Sequence, residues 1–232
     1  MSEEHCLSCA ICPLCNERKE KRFCPAVHGR ICAQCCGEQR EVTLDCPSDC
    51  HYLQQARQHE KARTNDDLDP DSLFPAVKIS EQFLYEHEHL IVGLSYALAK
   101  SARAGRSLDG HGLNDRDLIS ALASLAQSYQ RLVESNIIYE QPSANLTHQQ
   151  IAREVETMVK EFREAEQKHV GYARLRDSEV FETMVFLLRL AQVRTSGRPK
   201  SRAYVDFLLA QFPEEQSAIS APENSESRLI IP

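Results

Sequence analysis

Residues 12–50 read CPLCNERKEKRFCPAVHGRICAQCCGEQREVTLDCPSDC, and this stretch decides the fold of the amino-terminal part of the chain. All ten cysteines of the 232-residue chain fall between Cys6 and Cys50. The segment is too poor in large apolar side chains to build a core unaided. Clustered cysteines in a reducing compartment more often bind metal than form structural disulfides. The sequence therefore predicts a small module in which bound metal replaces the core.

The spacing of these cysteines supplies ligands for two tetrahedral zinc ions. Two Cys-x2-Cys knuckles are separated by an isolated cysteine and followed by a Cys-x3-Cys pair. A tight turn brings both sulfurs of a pair within reach of one ion, at about 2.3 Å. The order of the pairs favours a cross-braced arrangement, in which alternate pairs share an ion. The predicted ligands of the first Zn2+ are Cys12, Cys15, Cys32 and Cys35. The predicted ligands of the second Zn2+ are Cys24, Cys36, Cys46 and Cys50.

The residues around the knuckles agree with metal-binding turns. Asn16 follows Cys15 and Gly37 follows Cys36, and both residue types tolerate the left-handed backbone of a tight turn. Cys50 is predicted in the first turn of a helix, where the helix dipole favours a thiolate.

Some ligand choices stay open at this point. His28 and His51 can each replace one cysteine as a ligand. Four ligands for each of two ions leave Cys6 and Cys9 spare. Free or disulfide-bonded cysteines without metal are the remaining, less specific explanation of the pattern.

The cysteine-rich stretch also resembles a known family. The residues that carry the resemblance are Cys12-Pro13-Leu14-Cys15, Arg22-Phe23-Cys24-Pro25-Ala26, Ile31-Cys32-Ala33-Gln34-Cys35-Cys36-Gly37, Arg40, Cys46-Pro47-Ser48-Asp49-Cys50 and Tyr52-Leu53. They resemble a family of uncharacterised bacterial proteins with a cysteine-rich amino terminus followed by helices. In that family the double cysteine and its glycine recur, which favours Cys36 over His28 as a ligand. The spacing is also similar to that of RING and related treble-clef fingers.

An iron–sulfur cluster is an alternative to zinc. The run Cys6-x2-Cys9-x2-Cys12-x2-Cys15 approaches the bacterial ferredoxin pattern. In that pattern the last spacing is x3 and proline follows the fourth cysteine, whereas here the last spacing is x2 and Pro13 follows the third. The later cysteine pairs would also stay unexplained.

A di-iron site in the helical part is a second iron-dependent alternative. Glu86 to His89 and Glu166 to His169 have the Glu-x-x-His spacing of di-iron bundles. In a chain this rich in glutamate, chance alone accounts for such pairs. Either kind of iron centre would make the chain a redox protein.

Basic residues inside the module raise a nucleic-acid alternative. Arg18, Lys19, Lys21 and Arg22 form a cluster that can contact phosphates. Phe23 is the one aromatic residue between positions 16 and 40 that is available for stacking on bases. Most such charge runs are solvated surface, so this pattern alone is a weak indication of a nucleic-acid-binding regulator.

The chain divides into four segments. Residues 1–63 are predicted to be the zinc module, which ends in a helix, and 64–76 an acidic linker. Residues 77–212 have helical periodicity and are predicted to form an all-α bundle of four to five helices. Residues 213–232 have the composition of a disordered tail. The predicted fold class is mainly α, with a treble-clef or cross-brace zinc module in front of the bundle.

Caps and apolar faces place the individual helices. Ser80 and Asn114 are predicted N-caps of the first two helices of the bundle. Thr147 and Gln150 form a capping-box pattern at the start of the third. The fourth, over 177–195, is apolar almost all round and is therefore predicted to be central.

Composition and charge limit the function. The net charge of -7 argues against generic attraction to nucleic acid or anionic lipid. The acidic amino terminus lacks the features of a secretory signal, and the longest apolar run, 90–99, is too short to span a bilayer. No nucleophile elbow, phosphate loop or His-Glu-x-x-His motif indicates an enzyme. We therefore expect a cytoplasmic interaction or regulatory module, with two structural zinc sites, whose partner is another protein.

Overall fold

The computed structural model describes residues 10–60, 74–108, 112–135 and 145–213. As the sequence predicts, it is mainly helical, with a small cysteine-rich region in front of the helices. Cys6 and Cys9, most of the predicted linker and the predicted tail after Pro213 lie outside the described residues. No helix in the described ranges is both long and apolar enough to cross a membrane.

The cysteine-rich module consists of a turn, a short hairpin and two helices. Strand β1 (Arg22–Cys24) pairs antiparallel with β2 (Gly29–Ile31), and Phe23 lies opposite Arg30. Because successive strand residues face opposite sides, Phe23 and Arg30 are exposed while their neighbours Cys24 and Ile31 are buried. Helices α1 (Ala33–Gln39) and α2 (His51–His59) complete the module.

The local predictions for this module have mixed outcomes. Asn16 adopts left-handed backbone with φ 54°, which confirms the predicted turn after Cys15. The turn predicted at Gly37 is wrong, because α1 continues through that residue to Gln39. Cys50 is the N-cap of α2 and therefore lies just before the first turn in which it was predicted.

Six helices form the helical domain in the part of the chain that is described. Their bounds are α3 (Glu81–Glu86), α4 (Glu88–Leu108), α5 (Asp115–Ser135), α6 (Leu146–Val170), α7 (Asp177–Arg194) and α8 (Ala203–Gln211). Helix α5 packs along α7, α4 packs along α6, and α8 packs against α4. Helix α7 has buried side chains on most of its surface and is central, as its apolar sequence predicts.

Helix starts are only partly as predicted. The Ser80 hydroxyl accepts a hydrogen bond from Phe83 N–H, and Asn114 and Asp117 exchange two hydrogen bonds, so both predicted caps are confirmed. The predicted first helix is divided at His87, which ends α3 with φ -109° and ψ 18°. The predicted Thr147 cap is wrong, because Asn145 is the N-cap and accepts from the Thr147 N–H at 2.9 Å.

Asp115, at the start of α5, is only 1% exposed and holds α8 against α5 through hydrogen bonds. One carboxylate oxygen accepts hydrogen bonds from the backbone N–H groups of Tyr204 and Val205, both at 3.0 Å. The other accepts from the Ser201 hydroxyl at 2.6 Å. Because the first N–H groups of a helix have no partner within it, this carboxylate caps α8 from a distant element.

We expect Asp115→Asn to lower the free energy of unfolding by about 1–3 kcal/mol. The substitution replaces one buried acceptor oxygen by an amide donor that faces other donors. Urea denaturation followed by circular dichroism measures the effect. The exposed Glu164→Gln is the control, with a change of roughly 0.5 kcal/mol or less. Equal midpoints for the wild type and Asp115→Asn would contradict this role of Asp115.

Candidate metal centre

The structure brings the sulfurs of four predicted ligands together. The Sγ atoms of this first cluster all lie within 4.8 Å of one another and belong to Cys12, Cys15, Cys32 and Cys35. In a tetrahedral site with zinc–sulfur bonds of about 2.3 Å, the sulfurs are about 3.8 Å apart. The donor set and its spacing therefore fit one metal ion with every position filled by protein. All eight cysteines in the described ranges are free of disulfides.

Backbone hydrogen bonds hold the knuckle that carries Cys12 and Cys15. The Asn16 N–H donates to the carbonyl of Cys12, and the Cys12 N–H donates to the carbonyl of Arg18, both at 2.8 Å. The left-handed conformation of Asn16 turns the chain back between these bonds. Both sulfurs of the pair are thus presented on one side of the turn.

Cys32 and Cys35 are positioned by the start of α1. Cys32 is the N-cap, and its Sγ accepts a hydrogen bond from the Cys35 N–H at 3.3 Å. This bond is the main reason that the pKa of Cys32 falls to about 6. The start of α1 thus supplies one half of the first cluster, and the turn at Asn16 supplies the other.

Arg18 supplies positive charge next to the first cluster. Its Nε lies 3.3 Å from the Cys32 Sγ, and its Nη2 lies 3.5 Å from the Cys35 Sγ. The guanidinium favours the Cys35 thiolate, but burial and the neighbouring thiols outweigh it and raise the pKa of Cys35 to about 12. Four thiolates cannot share this space without a cation, which is the electrostatic condition of a metal site.

The other four predicted ligands border a second, smaller space. Cys24, Cys36, Cys46 and Cys50 all line a cavity of about 10 Å³, together with Leu44, Tyr52 and Leu53. Burial raises the pKa of Cys46, and the charges of Cys24 and Cys50 act in the same direction. In the described part of the chain, the first cluster is the one group of three or more potential ligands within 4.8 Å of one another. The structure thus brings the four cysteines of the second set to one cavity, but their sulfurs are not all as close together as those of the first cluster.

The histidines that were alternatives to cysteine lie elsewhere. His28 is exposed and has left-handed backbone, with φ 49°, at the turn of the hairpin. His51 is exposed on α2, with its ring against the edge of Tyr52. Neither belongs to the first cluster or lines the second cavity.

The basic residues of the module do not form one free surface. Arg22 reaches the Cys36 Sγ at 3.8 Å, and its guanidinium lies over the Tyr52 ring. The Arg22 side chain, like that of Arg18, is therefore directed toward cysteine sulfur. Arg30 pairs with Glu20 at 3.3 Å, whereas Lys19 and Lys21 are exposed.

The residues of the predicted di-iron pairs do not form a metal-binding group. Glu86, His89 and Glu166 border an open cavity of about 610 Å³. The Glu166 carboxylate already accepts hydrogen bonds from the backbone N–H groups of Arg174 and Leu175, both at 2.9 Å. His169 is exposed at the end of α6. Glu166 therefore fixes the turn before α7.

Comparison of the chain with protein-family models, curated proteins and solved structures gives no match. Its function is therefore argued from the residues and their geometry.

Sequence reasoning missed the roles of Arg18 and Arg22. Both residues belong to a charge run in the sequence, and each lies close in sequence to a predicted ligand. The short distance in sequence from Arg18 to Cys15 and from Arg22 to Cys24 is the feature that could have indicated their contact with sulfur. A run of charges does not reveal the direction of each side chain, and here two of the four point inward.

We expect Arg18→Gln to weaken metal retention by the first cluster by roughly tenfold or more, as loss of an outer-shell partner typically does. Competition with a chromogenic chelator measures this. Lys19→Gln is the matched control because it removes the same charge from an exposed neighbour. If both variants release metal at the same rate, overall charge and not the contact with sulfur is responsible.

Proposed function

We propose that the chain is a cytoplasmic protein whose amino-terminal module holds two structural zinc ions and acts by binding another protein. The observation that carries this proposal is the first cluster, in which four cysteines leave no position for a substrate. Closed tetrahedral sites of this kind are structural, whereas catalytic zinc keeps an open position. Bound zinc would stabilise the module by tying together segments that share few apolar contacts.

Zinc suits this donor set better than the iron alternatives do. A set of four sulfurs fits either zinc or iron–sulfur chemistry. The ferredoxin-like run needs Cys12 and Cys15 to act with Cys6 and Cys9, but their sulfurs group with two later cysteines. The di-iron alternative has no converging set of carboxylates and histidines among the described residues.

Three observations support a second zinc ion held by Cys24, Cys36, Cys46 and Cys50. All four residues line one small cavity, and its volume of about 10 Å³ is on the scale of a single small ion or water. The Cys46 thiol interacts electrostatically with two of the others. Arg22 lies at the edge of the set as Arg18 lies at the first cluster.

The outer face of the hairpin is the surface that we propose for a protein partner. Phe23 is 56% exposed and Ile11 is 58% exposed, although both are large apolar residues. Ile11 forms a backbone bridge with the exposed Lys19, and the exposed Lys21 precedes Phe23 by two residues, so apolar and basic residues are neighbours here. Aromatic residues such as phenylalanine are enriched in protein interfaces relative to the rest of the surface. With Arg18 and Arg22 turned toward sulfur, the same face offers less charge to a nucleic acid.

Metal analysis tests the zinc proposal. We expect about two zinc ions per chain and no visible absorption, because four cysteine ligands serve each ion. Cys12→Ser with Cys35→Ser should lose one zinc, and Cys46→Ser with Cys50→Ser should lose the other. The control, Cys6→Ser with Cys9→Ser, should keep both. Visible absorption with bound iron would instead favour the redox alternative.

Partner capture tests the interaction proposal. We expect Phe23→Ser to reduce capture of protein partners from a lysate at least fivefold, while zinc content stays unchanged. Tyr85→Ser is the control, because Tyr85 is 82% exposed on α3, far from the module in sequence. Binding to nucleic acid that salt abolishes and that needs Lys19 and Lys21 would instead favour the regulator alternative.

A further inference from the structure

The helical domain contacts the cysteine-rich module at the end of α1 and in the segment that follows it. Arg198 donates from Nη1 to the carbonyls of Gly37 at 3.0 Å and Arg40 at 2.7 Å. Lys200 donates from Nζ to the carbonyl of Thr43 at 2.9 Å and to Asp45 at 2.8 Å. All four acceptors lie in residues 37–45, which comprise the last residues of α1 and the segment after it and which we call the docking loop.

The docking loop is bounded by two proposed ligands of the second zinc. Cys36 directly precedes it and Cys46 directly follows it. A metal held by both cysteines would tie the ends of the loop together and remove conformations that do not fit the helical domain. The two ends of the docking loop therefore adjoin the proposed metal site, and the residues between them contact the helical domain.

Glu41 connects the proposed metal site and the helical domain physically. It is 1% exposed and has left-handed backbone, with φ 53°, which is uncommon for a residue other than glycine. Its carbonyl accepts from the Lys200 N–H at 2.7 Å, and its carboxylate accepts from the Ser196 hydroxyl at 2.9 Å. Glu41 also lies between Arg40 and Leu44, and both of these residues line the second cavity together with Cys36 and Cys46.

A second set of contacts lies around Cys50. Arg57 on α2 bridges the two parts, with Nη2 2.8 Å from Glu41 and Nη1 2.7 Å from Asp206 on α8. The Ser48 hydroxyl donates to the same Asp206 at 2.6 Å. Ser48 and Arg57 lie on either side of Cys50 in sequence. All these polar contacts to the helical domain thus fall on residues 37–57, around the second cavity.

We propose that metal binding by Cys24, Cys36, Cys46 and Cys50 controls the docking of the module on the helical domain, with Glu41 as the coupling residue. This inference rests on the second zinc site of the proposed function. Coupling between two equilibria is reciprocal, so docking must strengthen metal retention at this site by the factor by which metal strengthens docking. The first cluster contributes no residue to these contacts and should be unaffected.

Zinc affinity of the full-length chain, measured in equilibrium competition with a chromogenic chelator, tests the coupling. We expect Glu41→Gln and Arg198→Gln each to bind one zinc per chain about tenfold more weakly than the wild type, and the other with wild-type affinity. Lys160→Gln, an exposed change on α6, is the control and should match the wild type. Circular dichroism verifies that the helices persist in each variant, and Ser196→Ala serves in place of one that unfolds.

The outcomes separate the coupling from the zinc proposal itself. If the wild type binds two zinc ions and both docking variants bind them with wild-type affinity, the coupling alone is overturned. Equal weakening of binding at both sites would also overturn it, because the effect would be general destabilisation. A wild-type chain that binds one zinc would overturn the second site, and the coupling with it.

Hydrogen exchange reports docking without reference to metal release. In Cys46→Ser, we expect the amide of Lys200, which bonds to Glu41, to exchange at least about tenfold faster than in the zinc-loaded wild type. The amides of Tyr204 and Val205, which bond to Asp115 within the helical domain, are internal controls and should keep their protection. Unchanged exchange at Lys200 in protein that has lost one zinc would overturn the proposal.

Discussion

Four thiols converge on one point in the first cluster, and the fold of the cysteine-rich module depends on how their charge is compensated. Arg18 favours the Cys35 thiolate, but burial and the three neighbouring thiols together raise the pKa of Cys35. The N-terminus of α1 and Arg18 offset part of this cost at Cys32. A divalent cation would offset the rest and fasten the knuckle to α1. The few fully buried apolar residues of the module, Ile31 and Leu53 among them, could not do this alone.

The helical domain, unlike the cysteine-rich module, is held together by an apolar core. Its core is a continuous set of buried aliphatic side chains from α4, α5, α6, α7 and α8, so it needs no metal to exclude water. Among the described residues of this domain, Asp115 is the one deeply buried carboxylate, and it is fully used in capping α8. The segment between α7 and α8 then presents Arg198 and Lys200 to the module, and α8 presents Asp206. A rigid apolar core thus supplies a fixed polar surface for a small unit that lacks such a core.

Periodic and short-range features were predictable from the sequence, and long-range ones were not. Two-residue spacing between cysteines limits their geometry, and apolar periodicity identified the helices, including the central α7. The break at His87 carries no glycine or proline to mark it, and Asn145 competes with Thr147 as a cap only two residues away. Glu41 could not have been singled out, because its partner Ser196 is 155 residues away in sequence. The inward direction of Arg18 likewise depends on where α1 lies in space.

The two sets of cysteines differ in what surrounds them, and this difference bears on what each can do. The first cluster is enclosed by the knuckle and α1, and the contacts between the two parts do not reach it, so metal there would act on the module alone. The second set has the docking loop on one side and α2 on the other, and both segments also contact the helical domain. A change at the second set would therefore be transmitted, since Glu41 is in an unfavourable backbone conformation that its neighbours must maintain. Four sulfurs in the first cluster would thus serve the folding of the module. Four sulfurs in the second set would serve the docking of the module on the helical domain.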